Sequence, residues 1–208
     1  MDPITKLIEE FAHFPGVGPR QARRFAYYLL TRNADTLKEF TEALAKAKKT
    51  VGACISCYRL FSSGNTKTTH CMLCADTHRD TSLLMVVAHD VDVESVEKSS
   101  GYRGYYFVLG GTVPILETKP EERIRLKKLS SRVKEATGKG LKEIILALDL
   151  NPEGEHTGNF LTHSLAPLVK EHGIKISLLG RGLSTGTELQ YSDPDTIKNA
   201  LSNRAPAK

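Results

Sequence analysis

Four cysteines, Cys54, Cys57, Cys71 and Cys74, are the whole thiol content of the 208-residue chain. They form two CxxC pairs with thirteen residues between them. A CxxC turn brings two sulfurs to one side of a tight knuckle, and two knuckles close a tetrahedral shell of soft thiolates around one ion. Four protein ligands leave no open position, so zinc held there would be structural rather than a Lewis acid. The linker Tyr58–His70 is mostly polar and carries a Gly64-Asn65 hairpin signal. It has little to bury, so metal would take the place of a core. Two disulfides or scattered buried thiols are the other arrangements of four cysteines. The paired spacing and the lack of a secretion signal favour zinc. His70 and His78 flank the pairs and could serve as ligands, but a complete set of four cysteines makes them surface residues.

A second candidate chemistry is phosphate binding. Phe14-Pro15-Gly16-Val17-Gly18-Pro19 lies between two helical patterns, Ile4, Leu7, Ile8, Phe11 before it and Ala22, Phe25, Ala26, Leu29 after it. Proline stops the first helix, and the glycines permit a tight turn. Such a turn leaves the first amides of the second helix free to meet a phosphate. Arg20, Arg23 and Arg24 follow directly. The pattern fits a helix-hairpin-helix that grips the nucleic-acid backbone without reading bases; an ordinary αα-turn is the plain alternative. Gly16, Gly18, Arg20 and Arg24 are the candidate DNA-binding residues.

The third is acidic. Asp149-Leu150-Asn151-Pro152-Glu153-Gly154-Glu155 follows an apolar run, and carboxylates grouped there are a usual way to hold Mg2+ against phosphates. The alternative is a solvated acidic loop capping a helix that begins near Thr157-Gly158. His89-Asp90 is no catalytic pair, since neighbours at a strand end point apart. His156 and His163 have no matched acid and read as surface or capping residues. GxxxxGK[ST] and HExxH are both missing.

These groups need elements to position them. A third helix is marked by Leu37, Phe40, Leu44 and Ala47; Lys46, Lys48 and Lys49 at its end suit the helix dipole. After the cysteines the pattern changes to continuous apolar runs at 83–88, 105–109, 143–148 and 175–179, which suit strands buried on both faces. Helical segments at 91–99, 121–135 and 158–172 alternate with them, so the unit is α/β with a largely parallel sheet. Tyr102, Tyr105 and Tyr106 fall in or before a strand, where aromatics pack. A Gly-rich stretch at 181–193 and a short helix around Ile197, Ala200 and Leu201 end the pattern; residues 205–208 are expected to fray. Net charge is +5, which permits nucleic-acid binding without requiring it. No Trp and 7% aromatics argue against base stacking as the main device. With no apolar run of membrane-spanning length and no signal peptide, the expected location is cytoplasmic, in association with the nucleoid.

Taken together, the order resembles the RecR family of bacterial recombination mediators. The motifs that carry it are Phe-Pro-Gly-Val-Gly-Pro at 14–19, the cysteines at 54, 57, 71 and 74, and Gly-Tyr-Arg-Gly-Tyr-Tyr-Phe-Val-Leu at 101–109. Pro-Glu-Gly-Glu at 152–155 and Arg-Gly-Leu-Ser-Thr-Gly-Thr-Glu-Leu-Gln-Tyr at 181–191 complete them. The resemblance implies a Toprim domain over about 80–180. It also implies a ring-shaped homotetramer built from N- and C-terminal contacts, with DNA through or beside the ring. Partners implied are RecO, and RecF in some bacteria, which help load RecA on gapped DNA coated with single-strand-binding protein. The family's DNA-contacting basic residues fall on Arg20 and Arg24; Arg23 occupies a position that is often uncharged.

One departure bears on chemistry. Enzymatic Toprim domains carry a Glu at the end of the first strand, and this chain has Ala88 there. Alanine can neither ligate Mg2+ nor pass a proton. The family's Asn-Pro-Thr-Val-Glu-Gly-Glu is also altered, to the 149–155 stretch above. Asp149, Glu153 and Glu155 could hold Mg2+ only weakly, or could dock a partner. The reading is a non-enzymatic DNA-binding mediator, with a Mg-dependent phosphodiester enzyme of Toprim type as the rival. The expected segments are 1–50 helix-hairpin-helix, 51–79 zinc module, 80–180 Toprim-like domain and 181–208 C-terminal assembly segment. The zinc module would be a rigid joint rather than a DNA reader, because the basic residues near its tip are only Arg59 and Lys67.

Overall fold

A computed structural model describes residues 2–64 and 68–204. Asn65 of the hairpin signal, Lys67 and the tail at 205–208 lie outside the described residues. The chain forms two compact units, Met1–Val51 with Ser62–Thr66, and Gly52–Phe61 with Lys67–Lys208.

The first unit is helical. α1 (Pro3–Ala12) starts from Asp2, whose carboxylate accepts from the Thr5 amide, with Pro3 at the first helical position where no amide is needed. α2 (Pro19–Leu30) repeats the Pro start after Gly18. The two helices pack through Ala22 and Ala26, both fully buried, and through Phe11, whose ring meets Phe14 at 5.6 Å and Phe25 at 5.7 Å edge-on. α3 (Ala34–Thr50) is capped by Asn33 and ends with Lys48 and Lys49, as its dipole favours.

Most of β1 (Val51–Ala53) and of β2 (Leu60–Ser62), which pair, and all of α4 (Met72–Ala75) fall in the second unit. A four-stranded parallel sheet follows: β3 (Asp80–Val87), β4 (Gly104–Val108), β5 (Glu143–Ala147) and β6 (Lys175–Leu178), in the order β4-β3-β5-β6. The crossovers are α5 (Asp90–Ser99), α6 (Pro120–Arg123) with α7 (Leu126–Thr137), and α8 (Pro152–His172). Alternate residues of β3 face opposite layers. Leu84 and Val86 join Phe107, Ile144, Leu129, Val133, Leu161 and Leu165 on one side, and Met85 and Val87 join Tyr106, Val108 and Val93 on the other. Helices on both faces are why these strands are apolar throughout. α9 (Pro194–Ser202) ends the described chain, capped by Asp193.

Two expected helices have different limits. The segment 121–135 is broken at Ile124-Arg125, because the Arg125 amide donates to Leu109 O at 3.0 Å and its guanidinium to Val108 O at 2.9 Å. Tying that residue to the end of β4 outweighs one more turn of helix, and Ile124 is driven into the core. α8 starts six residues earlier than the expected Gly158. Asn151 caps it by accepting from the Gly154 amide at 2.8 Å, with Pro152 at the first helical position. Glu153 and Glu155 therefore stand on the first turn of a helix, not in a loop, where the dipole accounts for negative charge without a metal.

Candidate metal centre and nucleic-acid interface

The four cysteines converge. Cys54 and Cys57 hang on a knuckle closed by Cys54 N–H donating to Arg59 O at 2.8 Å and Tyr58 N–H to Cys54 O at 2.9 Å. Tyr58 takes a positive φ of 62° to make the turn, and its ring is held by Phe107 at 5.4 Å. Cys71 caps α4, and Cys74 lies one turn on, its amide donating to Cys71 O. All four Sγ atoms lie within 4.8 Å of one another, and Cys57 Sγ is 3.6 Å from Cys71 Sγ. Three of the residues are buried and Cys74 is partly exposed.

Sulfurs packed this closely share protons. Hydrogen bonds from Cys57 and then Cys74 pull the Cys71 thiol well below its usual range. The contact with Cys71 pushes Cys57 up, and the contacts with Cys57 and Cys71 push Cys74 up. Four soft sulfurs gathered this closely suit a soft divalent cation. The donor set, its burial and its spacing all fit a closed four-thiolate metal site.

The module is fastened to the sheet. Val108 N–H donates to Cys57 O at 2.8 Å, Leu60 N–H to the Asp90 carboxylate at 2.6 Å, and Tyr105 Oη to Asp76 O at 3.0 Å. Asp90 thus holds a strand of the module, not a proton relay with His89. Arg59, one of the basic residues near the module's tip, lies 3.7 Å from Glu94 of α5. Among the described residues His70 pairs with Thr69 and His78 with Asp76, and neither joins the four-cysteine group.

The hairpin between α1 and α2 is open toward solvent. Val17 N–H donates to Phe14 O and Ala22 N–H to Gly18 O, while the amides of Gly18, Arg20 and Gln21 meet no acceptor among the described residues. Gly16 holds φ at +75°, a conformation that L residues rarely adopt. Arg20 and Arg24 are exposed, and Arg24 makes only a 3.5 Å contact to Gln21. Free amides at a helix start with cations one turn on make an anion-binding end.

Asp149, Glu153 and Glu155 lie past the carboxyl end of β5 but do not gather on one point. Glu153 accepts from Thr112 Oγ1 at 3.2 Å, and Glu155 pairs with Arg181 at 2.6 Å. Among the described residues, only the cysteines form a group of three or more ligand atoms close enough to hold an ion. Ala88, the residue just after β3, is buried, and its carbonyl takes the amides of Gly110 and Gly111. Sequence reasoning missed Thr112 and Arg181 as the groups that occupy these acids. It also missed Thr157, whose hydroxyl accepts from Val113 N–H at 2.8 Å and donates to Glu153 O. Only the Arg-Gly opening of the Gly-rich stretch hinted at a cation there.

A parallel sheet with a four-thiolate knuckle on its edge, preceded in the chain by a helix-hairpin-helix, defines a Toprim protein of the DNA-transaction class. Comparison with known proteins is more specific. Residues 4–48 match the RecR helix-hairpin-helix and residues 82–180 the Toprim domain. The chain is 37% identical over 205 residues to a recombination protein RecR of Bifidobacterium longum subsp. infantis, covering 98% of this chain and 96% of that one. It is 36% identical over 202 residues to that of Chloroflexus aggregans, covering 97% and 93%. With the Lacticaseibacillus casei protein the identity is 34% over 203 residues, covering 98% and 96%. The chain belongs to the RecR family of recombination proteins. No helix among the described residues is long and apolar enough to cross a membrane.

Proposed function

We propose that this chain is a non-enzymatic mediator of recombinational repair that binds DNA through its backbone, independently of sequence. The observation that carries the proposal is the α1–α2 hairpin, with the unpaired amides of Gly18, Arg20 and Gln21 beside exposed Arg20 and Arg24. Such a surface meets phosphates and reads no base edge. Replacing both Arg20 and Arg24 with Ala should weaken binding to unrelated DNA sequences by the same factor. A gel shift in which the double variant binds normally removes the hairpin from the account.

Zinc is the ion for the four thiolates, where it supplies a neutralising cross-link in place of a core. The Toprim sheet serves as a scaffold. Ala88 stands where a general acid–base would be needed, and Glu153 and Glu155 are engaged by Thr112 and Arg181. Turnover of DNA with Mg2+ that disappears in Glu153→Gln would reverse this choice.

The acidic carboxyl end of the sheet is the surface offered to RecO, and to RecF where the cell has it, for loading RecA onto gapped DNA. Self-association into a ring tetramer would use uncovered apolar surface. Exposed apolar residues available for this are Tyr27 and Leu30 of α2, Phe40 and Leu44 of α3, and Leu201 of α9. α3 buries none of its own residues, which an amphipathic helix does when its apolar stripe awaits a second chain. Light scattering gives the oligomer, and gel shift with and without RecO separates DNA binding from partner binding.

A further inference from the structure

All four strands run the same way, so the sheet has two chemically different ends. The carboxyl end carries Asp149, Glu153 and Glu155. The amino end carries Lys142, just before β5, and Lys175, which opens β6 and lies 3.6 Å from Glu143 at the start of β5, with Asp80 at the start of β3. From Arg125 to Lys142 seven Lys and Arg stand against one acid, Glu135, a balance of +6 in a chain whose total is +5.

A cavity of about 130 Å3 opens on this end, lined among others by Ser56, His70, Thr81, Tyr105, Arg132 and Lys139. Of the four cysteines only Cys74 touches it, so it is not the metal shell. Arg132 is its built part. The side chain is only 11% exposed, and its Nε is buried with no acceptor among the described residues. The nearest acid, Glu135, lies 3.6 Å from Nη1 and is itself 68% exposed. The Tyr105 ring lies beneath the guanidinium, its centroid 5.8 Å away, and is anchored by its hydroxyl to Asp76 O. A buried cation with an unused donor is costly unless an anion completes it. A guanidinium fork fits a phosphate with two parallel bonds.

We propose that this cavity and the basic face of α7 form a second binding site for the nucleic-acid backbone. One phosphodiester seats against Arg132 and Lys139, and Lys128, one helical turn before Arg132, serves the neighbouring phosphate. The hydroxyls of Ser56 and Thr81 add donors for the remaining oxygens. A polyanion is the occupant because the positive charge continues along α7 past the cavity, more than a single small anion needs. Arg132 lies over one face of the Tyr105 ring, which is therefore not open to a stacked base. The site would therefore be as indifferent to sequence as the hairpin. The inference rests on the DNA-binding reading but uses residues of the other compact unit, so the two can fail separately.

The test is fluorescence anisotropy of labelled single- and double-stranded DNA with the full chain, between 50 and 200 mM salt. Each lost phosphate contact lowers the slope of log K against log salt by about 0.9 on duplex DNA. Arg132→Gln with Lys139→Gln should weaken binding at least several-fold and lower the slope by about 2. The loss should add to that of the Arg20→Ala, Arg24→Ala variant. Lys128→Gln with Lys139→Gln leaves the buried Arg132 in place, so it reports even if the first variant misfolds, and the same loss of slope is expected. Wild-type affinity and slope in this exposed pair overturn the proposal. Inorganic phosphate titrated into the protein distinguishes a free-anion site. If phosphate perturbs the Tyr105 signal while both variants bind DNA normally, the cavity takes a small anion and the nucleic-acid assignment falls. Loss confined to the hairpin variant overturns the second site and leaves the hairpin; loss confined to the cavity variants does the reverse.

Discussion

The Asp90 carboxylate accepts a hydrogen bond at 2.6 Å from the backbone amide of Leu60, thirty residues earlier in the chain. One residue opens α5, the other opens β2 of the cysteine module. The contact joins the module to the sheet unit by a charge-assisted bond. Together with Val108 N–H to Cys57 O, it makes the knuckle an extension of the sheet edge. Asp90→Ala should cost about 1 kcal/mol, the usual size for such a bond at a partly exposed site. It should also speed release of zinc to a chromogenic chelator. A variant with the same urea midpoint and the same release rate would show that the bond holds nothing.

Removing the metal shell should be more severe. Cys57→Ser with Cys74→Ser takes one ligand from each CxxC pair. It should abolish stoichiometric zinc, lower the melting temperature and disperse the proposed tetramer. Zinc content by mass spectrometry and size by light scattering check it, and a zinc-free variant of unchanged size would separate assembly from the metal.

Gly154 is a steric requirement of the acidic end. A Cβ there would lie 2.0 Å from Asp149 O, inside any allowed contact. Gly154→Ala must shift the start of α8, which also carries the Glu153–Thr112 and Glu155–Arg181 contacts. The expected loss is about 1–3 kcal/mol, read by chemical unfolding, with faster amide exchange in the first turn of α8.

Glu97 supplies the pH dependence. Burial works against its charged form, but hydrogen bonds from Arg79 and Tyr106 outweigh that and hold its carboxyl below the usual 4.5. A depressed folded-state pKa contributes stability that is present above the unfolded value and lost as pH falls through the folded one. Glu97→Gln should therefore be less stable than wild type at pH 7, and the gap should narrow steadily below about pH 4.5. A gap that stays constant down to pH 3 would show that ionisation of Glu97 is irrelevant.

The sequence shows some features more readily than others, for physical reasons. β3 to β6 were readable because strands covered on both faces must be apolar throughout, and the four cysteines because their spacing has few other uses. The break at Ile124-Arg125 was hidden, since it comes from Arg125 bonding to Val108 and Leu109, a tertiary contact that periodicity does not contain. The start of α8 was visible in principle. Asn151-Pro152-Glu153 is a cap, a first-turn proline and a dipole-matched acid, but the same letters also suit a metal loop. The engagement of Glu155 by Arg181, 26 residues on, ties that acid to a cation and needs coordinates. The basic residues between Arg125 and Lys142 look like an ordinary solvated helix until the fold sets them beside the cavity that holds Arg132.

The central claim is that the α1–α2 hairpin binds DNA through its backbone, and the salt dependence of binding tests it most directly. With log K measured against log salt on duplexes of unrelated sequence, Arg20→Ala with Arg24→Ala should lower the slope by about 2 and weaken binding equally on every duplex. An unchanged slope, or a loss that differs from one sequence to another, would contradict it.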